Sequence, residues 1–506
     1  MRQSVLQYLE TSTKTYPHKV AVIDETKRLS YAGLQDSCQA VGSALAKVTR
    51  PGNGVGVYLT KSIDALCSML GALYAGCYYT TLNTELPAPR LQQIAEVLKP
   101  AVIVTCQEQK EQAEEIFAGY TVVLVEDLLQ HDINRSVLDQ IRLHSIDTDP
   151  MYINFTSGST GTPKGIVVCH RSVFDFIDCF TDLFHITEED VVANQAPFDF
   201  DVSVKDIYSA LKVGATLLIV PRHLFSQPMQ LIDFLCMHRA TTMIWAVSAL
   251  SLISTFHALE YKTPTTVNKI LFSGEVMPFK TLRNFRQHLP DAMYVNLYGP
   301  TEITCNCTYY ILQPELTYED GIPMGHAFPN EDVFLLNEAN QLITEPDVPG
   351  EVCVRGTALA LGYYCSEEHN AKSFVQNPLR PEYPETIYRT GDLARYLPDG
   401  NLMFSGRKDF QIKYMGHRIE LEEIEREMLK IDGVSQCCCL FDEKRSRLKG
   451  FYVGTIAKED LHAKMKQDLP GYMVPGILRQ LDQMPLNKNG KTDRAKLKEL
   501  TGGKKA

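Results

Sequence analysis

From Val55 onward, short runs rich in β-branched residues alternate with stretches whose apolar positions recur at helical spacing. The first such series is 55–59, 62–75 and 101–105; it returns as 215–220, 231–238, 241–245, 269–272, 282–288 and 293–296. Continuous apolar runs of four to six residues predict buried strands, and the intervening 3.6-residue period predicts amphipathic helices. Strands and helices in alternation predict an α/β protein with largely parallel sheets. After Tyr298 the texture changes to short strand-like runs (333–336, 351–354, 401–404) broken by Gly, Pro, Asn and Asp, which predicts a small antiparallel β-barrel or sheet. A charged turn at Gly406-Arg-Lys-Asp409 then leads into a strand (410–413), a helix (420–429), two further strands and another helix. The expected division is a large N-terminal core, 1–408, and a small α+β lobe, 409–506, of a size that folds alone.

Composition narrows the class. The chain has 506 residues, 44% hydrophobic and 22% charged, which excludes a disordered or collagenous protein. Its net charge of -11, with no basic cluster interleaved with aromatics, argues against a nucleic-acid scaffold. The longest apolar stretch, 243–253, is far short of the ~20 residues of a membrane span and reads as a buried strand running into a helix. No membrane insertion is expected. The start, Met1 to Glu10, carries charges through its apolar residues and has no cleavage site of small residues, so the expected location is cytoplasmic. The 14 cysteines include no C-x-x-C pair, and Cys437, Cys438 and Cys439 would alternate faces of a strand, which predicts reduced thiols. Only the Lys-rich tail after Lys496 is expected to fray.

The strongest chemical signal is Tyr152-Ile-Asn-Phe-Thr156-Ser157-Gly158-Ser159-Thr160-Gly161-Thr162-Pro163-Lys164-Gly165, a strand feeding a loop of hydroxyls and glycines with one Lys. Such a loop offers backbone N–H groups, hydroxyl donors and a cation to a polyphosphate. It is not a Walker loop, because Pro163 precedes Lys164 and no Ser or Thr follows it.

This loop resembles the phosphate loop of the adenylate-forming superfamily, which contains acyl-CoA synthetases, luciferases and the amino-acid adenylation domains of nonribosomal peptide synthesis. Further motifs of that family recur in order over nearly the whole chain: Asn296-Leu-Tyr298-Gly-Pro-Thr301-Glu302, Gly350-Glu-Val-Cys-Val-Arg-Gly356, Tyr388-Arg-Thr-Gly-Asp392-Leu393, Gly406-Arg407-Lys-Asp409, Gly416-His-Arg418-Ile-Glu420, Leu469-Pro-Gly-Tyr472-Met-Val-Pro475 and Asn489-Gly-Lys491-Thr-Asp-Arg494. The resemblance implies ATP and Mg²⁺ as cofactors. Thr156, Ser157, Gly158, Ser159, Thr160, Gly161, Thr162, Lys164, Asn296, Gly299 and Thr301 would contribute to the ATP site. Asp392, read as lying in a Thr-Gly-Asp turn, would accept both ribose hydroxyls, Arg407 would contact the ribose, and Tyr298 would stack on adenine. Glu302 would hold Mg²⁺, a hard oxygen ligand for a hard cation. Thr156, Glu302 and Lys491 are the expected catalytic residues, with Lys491 touching both the substrate carboxylate and the α-phosphate. Asp409 occupies the family's hinge, about which a mobile C-terminal lobe turns between adenylation and thioester formation. His170, beside Arg171 after a strand, is read as structural.

The segment Phe198-Asp-Phe-Asp201-Val-Ser-Val-Lys205-Asp206-Ile-Tyr208 resembles the motif whose Asp binds the α-ammonium of the substrate in amino-acid adenylation domains. A carboxylate there selects an amine by a charge-assisted hydrogen bond; Asp201 is also placed to N-cap a helix over 202–211. The wording is most similar to the stand-alone D-alanine:D-alanyl carrier protein ligases, but Lys205 and Ser273 depart from that subfamily and put D-alanine in doubt. By resemblance the substrate pocket comprises Asp201, Val202, Lys205, Ala246, Leu271, Ser273, Leu297, Cys305, Asn306 and Lys491. Lys205, one helical turn from Asp201, is open between a pocket cation for an acidic side chain, an ion pair with Asp201 and an outward-pointing Lys. D-alanine, a small polar amino acid and an acidic α- or β-amino acid are therefore all candidates. Twelve residues follow Arg494, so the acceptor thiol is expected in trans, on a phosphopantetheinylated carrier protein; the basic stretch 488–505 is either its docking patch or a solubilising tail. An acyl-CoA synthetase using free CoA, or a catalytically silent protein of the same fold, are the competing classes.

Overall fold

The computed structural model describes residues 2–157, 163–442, 445–486 and 492–502. They form a mixed α/β protein with two compact units: Met1–Thr84, Leu98–Phe155 and Gly165–Lys408 make one, and Glu85–Val97, Thr156–Lys164 and Asp409–Ala506 the other. Where 1–408 and 409–506 were expected, two short segments of the first 408 residues thus group with the C-terminal region.

The large unit is built on two mostly parallel sheets. The seven-stranded one runs in the order Gly362–Tyr363, Lys164–Cys169, Pro150–Thr156, Tyr78–Thr81, Gly54–Val57, Val102–Thr105, Val122–Leu124. The nine-stranded one runs His326–Ala327, Thr308–Ile311, Met293–Tyr298, Lys269–Ser273, Thr242–Ala246, Val191–Asn194, Thr216–Ile219, Val20–Ile23, Arg28–Ser30, parallel in its interior and antiparallel at both edges. Their interior strands are largely buried and mostly apolar, as expected of parallel sheets enclosed on both faces. Local chemistry sets the helix starts: Ser62 Oγ accepts from Ala65 N at 3.2 Å to open Ile63–Tyr74, and Ser30 Oγ accepts from Gly33 N to open Tyr31–Val48. The stretch 243–253 is indeed a strand, Thr242–Ala246, running into a helix, Val247–Thr255. Trp245, fully buried there, donates its indole N–H to the Ala193 carbonyl at 2.7 Å. A third, antiparallel sheet joins Leu342–Ile343, Glu331–Leu336, Gly350–Gly356, Thr386–Tyr396, Phe374–Gln376 and Leu402–Arg407.

The smaller unit carries the hairpin Gln411–Tyr414/His417–Glu420 and a three-stranded sheet of Val434–Asp442, Arg447–Gly454 and Ile477–Gln480, with helices Leu421–Lys430, Lys458–Asp468 and Arg494–Gly502. Cys438 and Cys439 do face opposite sides of their strand, each in a different apolar cluster. All 14 cysteines are free, nine of them buried. Arg90 and Glu423 form a buried ion pair at 2.7 Å within this unit. Up to Gly502 the expected frayed tail is corrected, because a helix continues past Lys496 to that residue; Leu497 is fully buried and Arg494 anchors the helix start on Glu425 and the Cys439 carbonyl, while residues 503–506 lie outside the described residues. Among the described residues no helix is long and apolar enough to cross a membrane.

Candidate nucleotide and amino-acid site

Three sequence-distant residues meet around one carboxylate. Asp392 lies inside the strand Thr386–Tyr396, not in a turn as its Thr-Gly-Asp wording suggests. Gly391, at φ +73°, places extra residues opposite Glu351–Cys353 and kinks the strand there, a bulge that re-aims the next side chain. Asp392 then pairs in register with Arg407 on Leu402–Arg407, whose guanidinium donates to Asp392 Oδ1. The Tyr298 hydroxyl donates to Oδ2 at 2.5 Å. Burial, and then the Asp392 charge, push the Tyr298 phenol well up, so it stays a donor at neutral pH. Thr390 Oγ1 donates to the Val352 carbonyl and accepts from Asp392 N, holding the bulge in place. The ring expected under a base and the carboxylate expected under a ribose are thus one hydrogen-bonded assembly.

The chain leaves Tyr298 through Gly299. A Cβ there would stand 2.4 Å from Asn306 Cα, so only glycine admits the returning segment. Glu302 sits in the 3₁₀ turn Thr301–Ile303, 1% exposed, and its Oε1 accepts from the Tyr363 hydroxyl at 2.6 Å. A buried carboxylate oriented by the Tyr363 hydroxyl suits Mg²⁺, which takes one or two protein carboxylates and completes its shell with phosphate oxygens and water. Asn296 spends its amide on the Pro323 carbonyl. In the smaller unit, Thr156 ends the strand Pro150–Thr156, Lys164 begins Lys164–Cys169, and Ser157 Oγ donates to the Arg418 carbonyl at 2.7 Å, joining two of the sequence motifs. Asp409 Oδ1 accepts from Gln411 N at the start of the hairpin. Gly158, Ser159, Thr160, Gly161, Thr162 and Lys491 lie outside the described residues.

The amino-acid positions converge at the carboxyl ends of parallel strands, where open α/β sheets place ligands. Ala246, Ser273 and Leu297 are in register on three neighbouring strands, with Leu271 fully buried two residues below Ser273. Facing them is the helix Val202–Val213, with Asp201 and Val202 at its start. Asp201 has helical backbone angles and its side chain does not cap the helix, which removes the capping reading of its carboxylate. Its carbonyl accepts from Cys305 Sγ at 3.1 Å. Lys205 is fully buried, which removes the outward-pointing reading; its ammonium donates to Asn306 Oδ1 at 2.8 Å and Ser273 Oγ at 3.4 Å. One further cation and one acid behind this wall, Lys61 and Asp206, had no assigned role in the sequence, although Asp206 stands inside the quoted Phe-Asp motif. Tyr363 carried no local signal, since its partner Glu302 is 61 residues away. His170 is buried, with its imidazole pushed down to about 3 by burial and its Nδ1 accepting from Val5 N, a structural placement.

Comparison with known proteins matches residues 9–364 to a family described as AMP-binding enzyme. Bacitracin synthase 3 of Bacillus licheniformis is 32% identical over 505 residues, covering 98% of this chain and 8% of its own length. Tyrocidine synthase 3 of Brevibacillus parabrevis is 31% identical over 498 residues, covering 97% of this chain and 8% of its own. The chain therefore spans only a small part of these relatives. Among solved structures, holo-PA1221, an NRPS protein containing adenylation and PCP domains bound to a vinylsulfonamide inhibitor, has a TM-score of 0.83 at 26% identity, covering 98% of this chain and 84% of that one.

Proposed function

The chain belongs to the AMP-binding enzyme family, and on that premise we propose that it activates an amino acid with ATP, forming aminoacyl-AMP and pyrophosphate, and passes the aminoacyl group to the phosphopantetheine thiol of a separate carrier protein. The observation that carries this reading is the cluster at the strand ends, where Lys205, on the helix that follows Asp201, bonds Ser273, itself in register with Ala246 and Leu297. Asp201 would take the α-ammonium, a contact that a fatty acid lacks. Asp392 and Arg407 would hold the ribose, Tyr298 the adenine, and Lys164 with its loop the phosphates. Glu302 would hold Mg²⁺, which supplies charge neutralisation between phosphate oxygens. The protein's own contribution is positioning and fixed charge, with no covalent protein nucleophile. The carrier as acceptor is supported by holo-PA1221, in which an adenylation domain accompanies a PCP domain. ATP–pyrophosphate exchange across an amino-acid panel, followed by transfer to holo-carrier or to free CoA, tests both steps; exchange with none of the amino acids, or faster transfer to CoA, overturns the reading.

Among the substrates that sequence leaves open, the placement of Lys205 favours an acidic side chain. A buried ammonium on the helix facing the strand ends, already bonded to Ser273 and Asn306, would give a side-chain carboxylate a charge-assisted hydrogen bond that a neutral side chain cannot match. Lys205→Met is expected to shift relative kcat/KM from acidic towards small neutral amino acids by about tenfold or more. An unchanged preference discards the pocket-cation role and returns D-alanine and small polar amino acids to the front.

Asp409, which opens the C-terminal unit, is proposed as the hinge. Proline fixes φ, and the change of φ/ψ that a hinge must absorb becomes inaccessible. Asp409→Pro is expected to leave pyrophosphate exchange near wild type and slow aminoacyl transfer by roughly tenfold or more. Equal loss of both half-reactions would remove the hinge assignment.

A further inference from the structure

We propose that Asp206, behind the substrate pocket, is a specificity-determining residue that sets how strongly Lys205 favours an acidic side chain over its neutral isostere. This rests on Lys205 being the pocket cation. Lys205 and Asp206 are consecutive on the helix Val202–Val213, so their side chains leave it about 100° apart. Lys205 reaches Ser273 and Asn306 in the pocket wall. Asp206 turns to the other side, where its Oδ2 accepts from Asn194 Nδ2 at 2.6 Å. The backbone carbonyls of Asn194 and Gln195 in turn accept from the Lys61 ammonium at 3.1 and 3.0 Å.

This cluster is under-satisfied. Asp206, Asn194 and Ser209 are all fully buried, and Asp206 Oδ1, Asn194 Oδ1 and Ser209 Oγ have no hydrogen-bond partner. A carboxylate with one bonded and one bare oxygen in an apolar interior interacts with nearby charges at long range, because little screens it. The charges that face it are Lys205 on its own helix and Lys61 from the turn before Ile63–Tyr74, with Arg222 beyond Lys61. On the pocket side stands the Cys305 thiol, which burial pushes well up and keeps neutral, next to Asp201. Burial pushes the Asp206 carboxyl up to about 7 against the pull of both lysines, and pushes the Lys61 ammonium down to about 7 although Asp206 draws it up.

The sign follows. With Asp206 ionised, its charge offsets that of Lys205, and an acidic side chain meets a weakened field. As pH falls and Asp206 takes a proton, that offset is lost and the field of Lys205 strengthens; proton uptake by Lys61 acts in the same direction. A substrate side-chain carboxylate stays ionised throughout, since its ordinary pKa is about 4.

The test is the ratio of kcat/KM for glutamate over glutamine, and for aspartate over asparagine, in pyrophosphate exchange from about pH 6 to about pH 8.5. In wild type the ratio should rise about five- to tenfold towards low pH. Asp206→Asn should hold it near the low-pH value, with only a residual step from Lys61 at lower pH. Lys61→Gln removes a cation that favours ionised Asp206, so the step should move to higher pH; this variant also carries the test if Asp206→Asn melts early. Opposite displacements of the step are a signature that a structural role would not produce. Wild-type profiles in both variants, with Lys205→Met still abolishing the acid-over-amide preference, would overturn the role of Asp206 and leave Lys205 in place. Discrimination unchanged in Lys205→Met would remove the pocket cation and the role of Asp206 with it.

Discussion

Replacing Asp392 with asparagine is expected to raise the KM for ATP about a hundredfold, equivalent to about 2.8 kcal/mol. The substitution keeps the shape and removes the charge. Asp392 is 4% exposed and serves two donors at once, the Tyr298 hydroxyl and the Arg407 guanidinium. Asparagine has one oxygen and one NH₂. If the oxygen stays with Arg407, the Tyr298 hydroxyl must rotate to accept, and its ring, the proposed base-stacking surface, loses its anchor. If the oxygen stays with Tyr298, a guanidinium faces an N–H donor and a shielded charge is left uncompensated, the more costly outcome. Either way a carboxylate that could accept from ribose hydroxyls is gone. The measurement is ATP titration in pyrophosphate exchange, with nucleotide binding by calorimetry and a melting curve to confirm the fold. An unchanged KM for ATP in a folded variant would detach Asp392 from the nucleotide.

Lys491→Ala is expected to lower kcat of the adenylation half-reaction by roughly 10² to 10³-fold while changing amino-acid and ATP binding far less. The attack of a carboxylate on the α-phosphate brings anions together, and a cation placed at that point acts on the transition state more than on the bound substrates. Lys491 lies outside the described residues, so this expectation comes from its place in Asn489-Gly-Lys491-Thr-Asp-Arg494 and from the chemistry alone. Supplying pre-formed aminoacyl-AMP separates the steps: transfer to holo-carrier should proceed at near the wild-type rate. Equal slowing of exchange and of transfer from the adenylate would move Lys491 out of the first half-reaction.

Much of the proposed site is read from residue order, because phosphate loops, strand ends and turn residues advertise themselves within ten or so positions. Thr156 to Lys164, Glu302, Asp392 and Arg407 are of this kind. Other features were legible only in part. Asp392 reads as a turn residue, since Thr-Gly-Asp is turn chemistry; the structure makes it a strand residue behind a bulge, because pairing with Gly350–Gly356 and Leu402–Arg407 outweighs the local preference. Asp201 reads as a helix cap by position, yet its helical backbone angles turn the carboxylate away from that task. The terminal helix was read as a frayed tail because its lysines dominate the composition, whereas the burial of Leu497 and the anchoring of Arg494 hold it.

The sequence by itself determined the alternation of strands and helices, the change to antiparallel texture after Tyr298 and the family resemblance, all properties of short windows governed by periodicity and turn chemistry. Only the tertiary structure decided where Lys205 is buried, what it bonds to and what stands behind it. Its partners Ser273 and Asn306 are 68 and 101 positions away, and Lys61 and Asp206 meet through Asn194, whose carbonyl accepts from Lys61 and whose side-chain amide donates to Asp206. Sheet register and burial select such contacts, and they turn a residue that could have been a solvated surface lysine into a desolvated charge.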